Sequence, residues 1–157
     1  MVTARNAAKS NMTTARIAEK ILLAKKTGYM KLTKTEKNKL VQAFALSNKK
    51  PLYGNSFDLI RTKSKIDFGN RDDIIKNIDK IKLIEVKSSD KKDLHKKGPF
   101  SEYYFGLTDT ELLMGQAHTK QYLFVFVDIN TKKIFKCDLR GLFRKITNVH
   151  LVWHVHF

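Results

Sequence analysis

The stretch Lys82-Leu83-Ile84-Glu85-Val86-Lys87-Ser88 decides how the rest of the sequence is read. Residues 82–86 are mostly apolar and predict a strand, and the polar segment Ser88–Pro99 predicts a loop after it. Side chains alternate along a strand, so Glu85 and Lys87 point to one face, about 7 Å apart along the backbone. A carboxylate and an ammonium therefore meet at the end of an apolar strand. In so Lys-rich a chain an acid-x-Lys tripeptide also arises by chance, and Asp90-Lys91-Lys92 is another. Context separates the two: Asp90 lies in polar sequence, whereas Glu85 follows Leu83-Ile84.

Upstream, Phe57, Leu59 and Arg61 alternate with Asp58, Ile60 and Thr62, which predicts a second strand with Asp58 on the face opposite Phe57. If the two strands are neighbours, Asp58, Glu85 and the Val86 carbonyl offer hard oxygen ligands for Mg²⁺, with Mn²⁺ as a substitute. Positions remain for water and a phosphate oxygen. Lys87 would then orient or activate the attacking water and steady charge in the transition state. The competing reading makes Glu85 and Lys87 a solvated strand face and Asp58 a strand-end acid.

Further out, Ile17, Ile21 and Ala24 predict a basic amphipathic helix over 13–27, stopped by Gly28. A second helix is expected over 33–46, with Leu40, Val41, Phe44 and Ala45 inward and Thr33-x-x-Glu36 as a capping box. A short helix is expected around 73–78. Strands are expected at 103–107, 122–127, 133–137 and 149–157, with helices at 109–119 and 139–145 and a turn at Asn130-Thr131. Thr108-x-x-Glu111 reads as a second capping box, and that is the preferred role for Glu111. The expected fold class is α/β, with helices packed on a mixed central sheet in one domain, 1–157. Residues 1–47 form a basic helical N-terminal part and 48–157 the α/β core.

The chain has 157 residues and a formal net charge of +16, from 31 Lys+Arg against 15 Asp+Glu. Residues 1–51 carry 12 of the basic residues and two acids, so the excess is concentrated there. Such an imbalance repels itself unless a polyanion is the usual partner, and nucleic acid is the expected one. Lys91, Lys92, Lys96 and Lys97, beside the Glu85 strand, are candidates for phosphate contacts. Cys137 is the single cysteine, and neither a secretory apolar segment nor a run of about 20 apolar residues is present. An intracellular, soluble protein without membrane partners is expected. His150, His154 and His156 share the polar face of the last strand, where exposed histidines are preferred to a zinc site. His95 is assigned no role, and Trp153 is assigned to the core.

The order strand-Asp58, connector, strand ending in Glu85-Val86-Lys87, then strand and helix resembles the PD-(D/E)XK nuclease superfamily over roughly residues 33–128. More narrowly, LYGNSFDLI (52–60), LIEVKSS (83–89) and YYFGLTDTELLMGQAHTKQYLFVFV (103–127) resemble the restriction-endonuclease-like domain at the C-terminus of NO VEIN-type proteins. The resemblance implies a restriction-endonuclease-like fold, Asp58 and Glu85 as metal ligands and Lys87 as the catalytic lysine. It also implies that Glu36 is the extra acid many members carry on the preceding helix. Phe57 stands where the superfamily's name has Pro. A helical Gln followed by Tyr marks RecB-like members, with three residues between them; Gln116 and Tyr122 are separated by five, a departure from that pattern, and Gln116 is taken as a candidate nucleic-acid contact.

The resulting expectation is a Mg²⁺-dependent DNA endonuclease of the restriction or repair and recombination type, with a symmetric homodimer needed to cut both strands. The alternative is a non-catalytic DNA-binding or assembly protein on the same fold. An RNA-associated protein finds no aromatic RNP-like motif to support it.

Overall fold

The computed structural model describes residues 4–47, 49–91 and 103–147, with side chains from Thr13 onward. The expected strand 149–157, with His150, Trp153, His154 and His156, lies outside the described residues, as do Lys92, His95, Lys96 and Lys97.

Among the described residues, five strands form one mixed sheet in chain order: β1 (Tyr29–Met30), β2 (Leu59–Arg61), β3 (Lys82–Ser89), β4 (Tyr122–Asp128) and β5 (Ile134–Cys137). β1, β2 and β3 pair antiparallel, β3 and β4 parallel, and β4 and β5 antiparallel. The helices are α1 (Ala4–Ala24), α2 (Lys34–Leu46), α3 (Arg71–Lys76), α4 (Asp109–Ala117) and α5 (Leu139–Phe143). The architecture is α/β, a mixed sheet flanked by helices.

The alternation of β3 divides the core. Ile84 and Val86 join Leu59, Val125 and Val127 beneath Ala18 and Leu22 of α1. Leu83 joins Ile60, Tyr122, Phe124 and Phe126 in a larger cluster that takes Leu40 and Phe44 of α2, Ile74 of α3, Met114 of α4 and Leu139 of α5. By the same period of two, Glu85 and Lys87 fall on the face of the larger cluster. A parallel β3–β4 pair needs a long crossover, and α4 lies within that connection.

Several expectations shift. In α1 the buried stripe is Ala18 and Leu22, while Ile17 is 39% exposed and Ala24 exposed. The small Ala18 sits where the helix meets the sheet, turning the inward face by one residue. In α2 Ala43 is buried with Leu40 and Phe44, and Ala45 is exposed. The N-terminal part is not wholly helical, because Gly28 at φ +85° reverses the chain into β1, and Tyr29 pairs with Arg61. Residues 103–107 carry strand-like alternation but make no ladder. Tyr103 and Phe105 instead lay their rings against Phe126, with centroids 5.0 and 5.1 Å away. The Asn130-Thr131 turn forms as expected, with Asp128 Oδ1 accepting from the Asn130 and Thr131 N–H groups.

Gly28 has no room for a side chain: a Cβ would lie 1.9 Å from the Thr62 carbonyl oxygen, in a backbone conformation that L-residues rarely adopt. Gly28→Ala is therefore expected to destabilise the protein by about 2 kcal/mol or more, from strain and displacement of β1. Urea unfolding of the two proteins checks this, and an unchanged midpoint would contradict it.

Candidate active site

Asp58 reaches its position through an irregularity in β2. The ladder pairs Leu59 with Ile84, yet the Asp58 N–H also donates to the Ile84 carbonyl at 2.9 Å. Two residues thus face one, the offset of a β-bulge, which re-aims a side chain. Phe57 and Ile60, three residues apart, consequently enter the same cluster. The strict alternation expected over 56–62 fails here, and the Asp58 carboxylate turns onto β3, where Oδ2 accepts the Val86 N–H at 2.8 Å.

Glu85 and Lys87 meet as their spacing implied, with Lys87 Nζ 3.0 Å from Glu85 Oε1. Lys87 also donates to Glu111 Oε2 at 2.8 Å. Glu111 keeps its capping role as well: the same Oε2 accepts the Thr108 N–H at 3.1 Å, and Thr108 Oγ1 accepts the Glu111 N–H at 3.2 Å. One carboxylate therefore starts α4 and holds the lysine. Glu85 and Glu111 are both 8% exposed.

Burial dominates the electrostatics. It pushes the Glu85 carboxyl up to about 9, with help from the Asp58 and Glu111 charges and against the pull of Lys87. Burial also raises Asp58, partly offset by the Val86 N–H. For Lys87 burial disfavours the ammonium, but Glu85 and Glu111 outweigh it and leave the pKa above the ordinary lysine value. The cluster is short of positive charge.

Lys37 of α2 closes another side. Its ammonium donates to the Phe57 carbonyl at 2.7 Å and sits 4.3 Å from the centre of the Phe57 ring. Burial lowers its pKa, while Asp58 and Glu85 act to raise it. Glu36, one residue earlier, is turned away: its Oε2 accepts the Thr33 N–H and hydroxyl, both at 2.8 Å. The acid outside β2 and β3 whose charge bears on Asp58 is Glu19 of α1, which is ion-paired with Lys31. Gln116 is exposed near the far end of α4 from Glu111 and is not brought to the cluster. Lys91 is exposed beyond the end of β3.

Glu111, Lys37 and Glu19 were not assigned to this site from sequence. Glu111 had a signal, since a crossover helix after β3 must cover one face of the sheet and its first-turn acid can reach a residue there. Lys37 and Glu19 had none beyond helical phase.

Asp58 and Glu85 are the carboxylates a divalent ion would take, with the Val86 carbonyl as the backbone oxygen between Glu85 and Lys87. Among the described residues, no three His, Cys, Asp or Glu side chains converge at metal-binding geometry. Glu85 is buried and the neighbouring Asp58 charge strengthens its hold on a proton; a hard dication would relieve the same repulsion, so the pair fits one. No family model, curated protein or solved structure matches the chain.

A stability consequence follows. Because folded Glu85 titrates near 9 rather than the ordinary 4.5, the neutral carboxyl is the form that suits the fold. Stability in chelator should therefore fall as pH rises from about 5 to 9. Lys87, raised above its usual value, stays protonated across that window and does not cancel the effect. Glu85→Gln, neutral throughout, is expected to melt about 2–4 °C higher than wild type at pH 8, corresponding to about 1 kcal/mol. It should also flatten the pH dependence. Thermal melts at pH 5 and pH 8 decide this, and a variant that melts lower at pH 8 would rule it out.

Proposed function

We propose that this protein is a Mg²⁺-dependent DNA endonuclease with a restriction-endonuclease-like fold of the PD-(D/E)XK type, acting in restriction or in repair and recombination. The observation that carries the reading is the convergence of Asp58, Glu85 and Lys87. A bulge and a two-residue spacing bring two carboxylates and a lysine to one partly water-excluded spot. The net charge of +16 supports a polyanionic substrate.

Asp58 and Glu85 would hold a Mg²⁺ ion, whose chemistry would be to polarise the scissile phosphate and lower the pKa of the attacking water. Asp58 keeps its orientation through the Val86 N–H. Lys87 acts as a cation rather than a base, because its carboxylate neighbours keep it protonated. It donates to a phosphate oxygen or to the attacking water as charge builds on the phosphorane-like transition state. Water loses a proton to solvent and forms the new P–O bond, the P–O bond to the leaving oxygen breaks, and the leaving oxygen takes up a proton from solvent. Glu111 holds Lys87 in place without touching substrate.

Incubation with supercoiled plasmid and Mg²⁺ or Mn²⁺ tests the reading. Wild type should nick or linearise the plasmid, chelator should abolish this, and Asp58→Ala and Lys87→Ala should each lose at least about 100-fold in rate while still binding DNA. Glu111→Gln should lose less, about 10-fold, since the amide preserves part of the cap. An intact plasmid under every condition, with branched and single-stranded DNA also uncut and binding retained, would replace this reading with the non-catalytic DNA-binding one.

A further inference from the structure

The end of the sheet remote from Asp58 and Glu85 has a different character. A cleft of about 540 Å³ there is lined by Lys26, Thr27, Gly28, Arg61, Thr62 and Lys63. Another, of about 290 Å³, is lined by Lys49, Lys50, His118, Lys120 and their neighbours. Among the described residues, no carboxylate lines either one. The sheet joins them: Arg61 of the first cleft is the register partner of Lys82, and Lys82 Nζ donates to the carbonyl of Lys120 in the second, at 2.5 Å.

The cations along this edge are oriented by neutral oxygens. Arg61 Nε donates to the Thr27 carbonyl at 3.1 Å, and Lys80 Nζ to Asn77 Oδ1 at 2.9 Å. Such bonds fix a cation without cancelling its charge. Lys49 has a carboxylate partner, Asp79 at 2.7 Å, and the Asp79 side chain is 79% exposed, so that pair is weak.

We propose that this edge is a second, non-catalytic nucleic-acid surface, which takes the phosphate backbone of a segment other than the one at Asp58 and Glu85. Arg61 and Lys82 are register partners and Lys82 is bonded to Lys120, so the α1–β1 turn, β2, β3 and the turn before β4 bring cations to one end of the sheet. Such a run of uncancelled positive charge suits the phosphate backbone of a nucleic acid. None of the exposed large apolar side chains lines either cleft, and an anionic membrane would need such anchors. Asp58 is four residues from Thr62, about 13 Å along β2. The basic clefts thus lie at the other end of the strands from the carboxylates, and the proposal that they take a different segment does not depend on the first site being a nuclease.

The test is done in chelator, so that cutting plays no part. The full chain is loaded on an immobilised duplex and offered a second, fluorescent duplex at several salt concentrations. The edge variant combines Lys50→Glu, Lys63→Glu and Lys120→Glu, all exposed positions. A control of equal net charge combines Lys132→Glu, Lys133→Glu and Arg144→Glu, also exposed. Wild type and control should capture the second duplex. The edge variant should capture it at least about 10-fold less well, with the salt slope reduced by about 1 to 3, while still binding the first duplex. No capture by wild type, equal loss in both variants, or no loss in the edge variant would overturn the proposal. So would a preference for phosphatidylserine vesicles over duplex that the same three substitutions abolish.

Discussion

The hydrogen bond from the Val86 N–H to Asp58 Oδ2 is the joint on which the candidate site depends. It takes a backbone donor at the edge of β3, which would otherwise need a partner, and gives it to a side chain from the neighbouring strand. The offset at Ile84 makes this possible, because it frees Asp58 from the alternation that would carry its side chain along with the ladder. Phe57, just before it, is 2% exposed and anchors the segment, while Lys37 holds the Phe57 carbonyl. The carboxylate is therefore fixed from both sides by packing and hydrogen bonds that have no chemistry of their own.

The ionisable cluster opposes stability. A buried ion pair is weak support for a fold, since desolvation of both partners offsets much of their attraction. Here Lys87 faces Glu85 and Glu111, with the Asp58 charge adding to the repulsion at Glu85. A proton on Glu85 relieves the imbalance in the absence of a metal. The apolar clusters on both faces carry the fold regardless: each fully buried Leu, Ile or Phe contributes about 1.5–3 kcal/mol, and among the described residues Phe44, Phe124, Leu22, Leu40, Ile60 and Leu83 are of that kind. An arrangement unfavourable for the fold, yet held in place on several sides, is how a site pre-organised for charge is built.

The sequence was most legible where one interaction sets the structure. The turn at Asn130-Thr131 and both capping boxes are local patterns and appear where expected, while the strand expected over 82–86 forms but runs on through Ser88 and Ser89, read from their polarity as loop, because β4 pairs with them. The Glu85–Lys87 pair was legible for the same reason, since its geometry needs only a strand. What depended on tertiary placement was less so. The strand-like pattern at 103–107 served to pack rings on Phe126, because alternation records which side faces the core and not whether a neighbour supplies hydrogen bonds. Glu36 and Glu111 sit in identical local motifs, Thr-x-x-Glu at a helix start. Glu36 is fully engaged by its own cap, whereas Glu111 also reaches Lys87. The difference is that α4 crosses over β3, which no local pattern records.

Charge is distributed so that the ends of the sheet make opposite demands. The chain as a whole carries an excess of 16 positive charges, and its basic clefts lie where the strands present Arg61, Lys82 and Lys120. The carboxylates Asp58, Glu85 and Glu111 gather where the local sum runs the other way. A phosphate drawn in by the field of the whole protein would meet net negative charge at that cluster and be repelled. Attraction over long range and repulsion at the site are compatible only if something positive occupies the gap between Asp58 and Glu85. A proton neutralises the pair but gives a phosphate nothing to bind, whereas a hard dication neutralises it and keeps coordination positions for phosphate oxygen and water. The Asp58 and Glu111 charges, which add to burial in pushing Glu85 up to about 9, are thus the charges that a metal would balance as the third partner in the proposed nuclease.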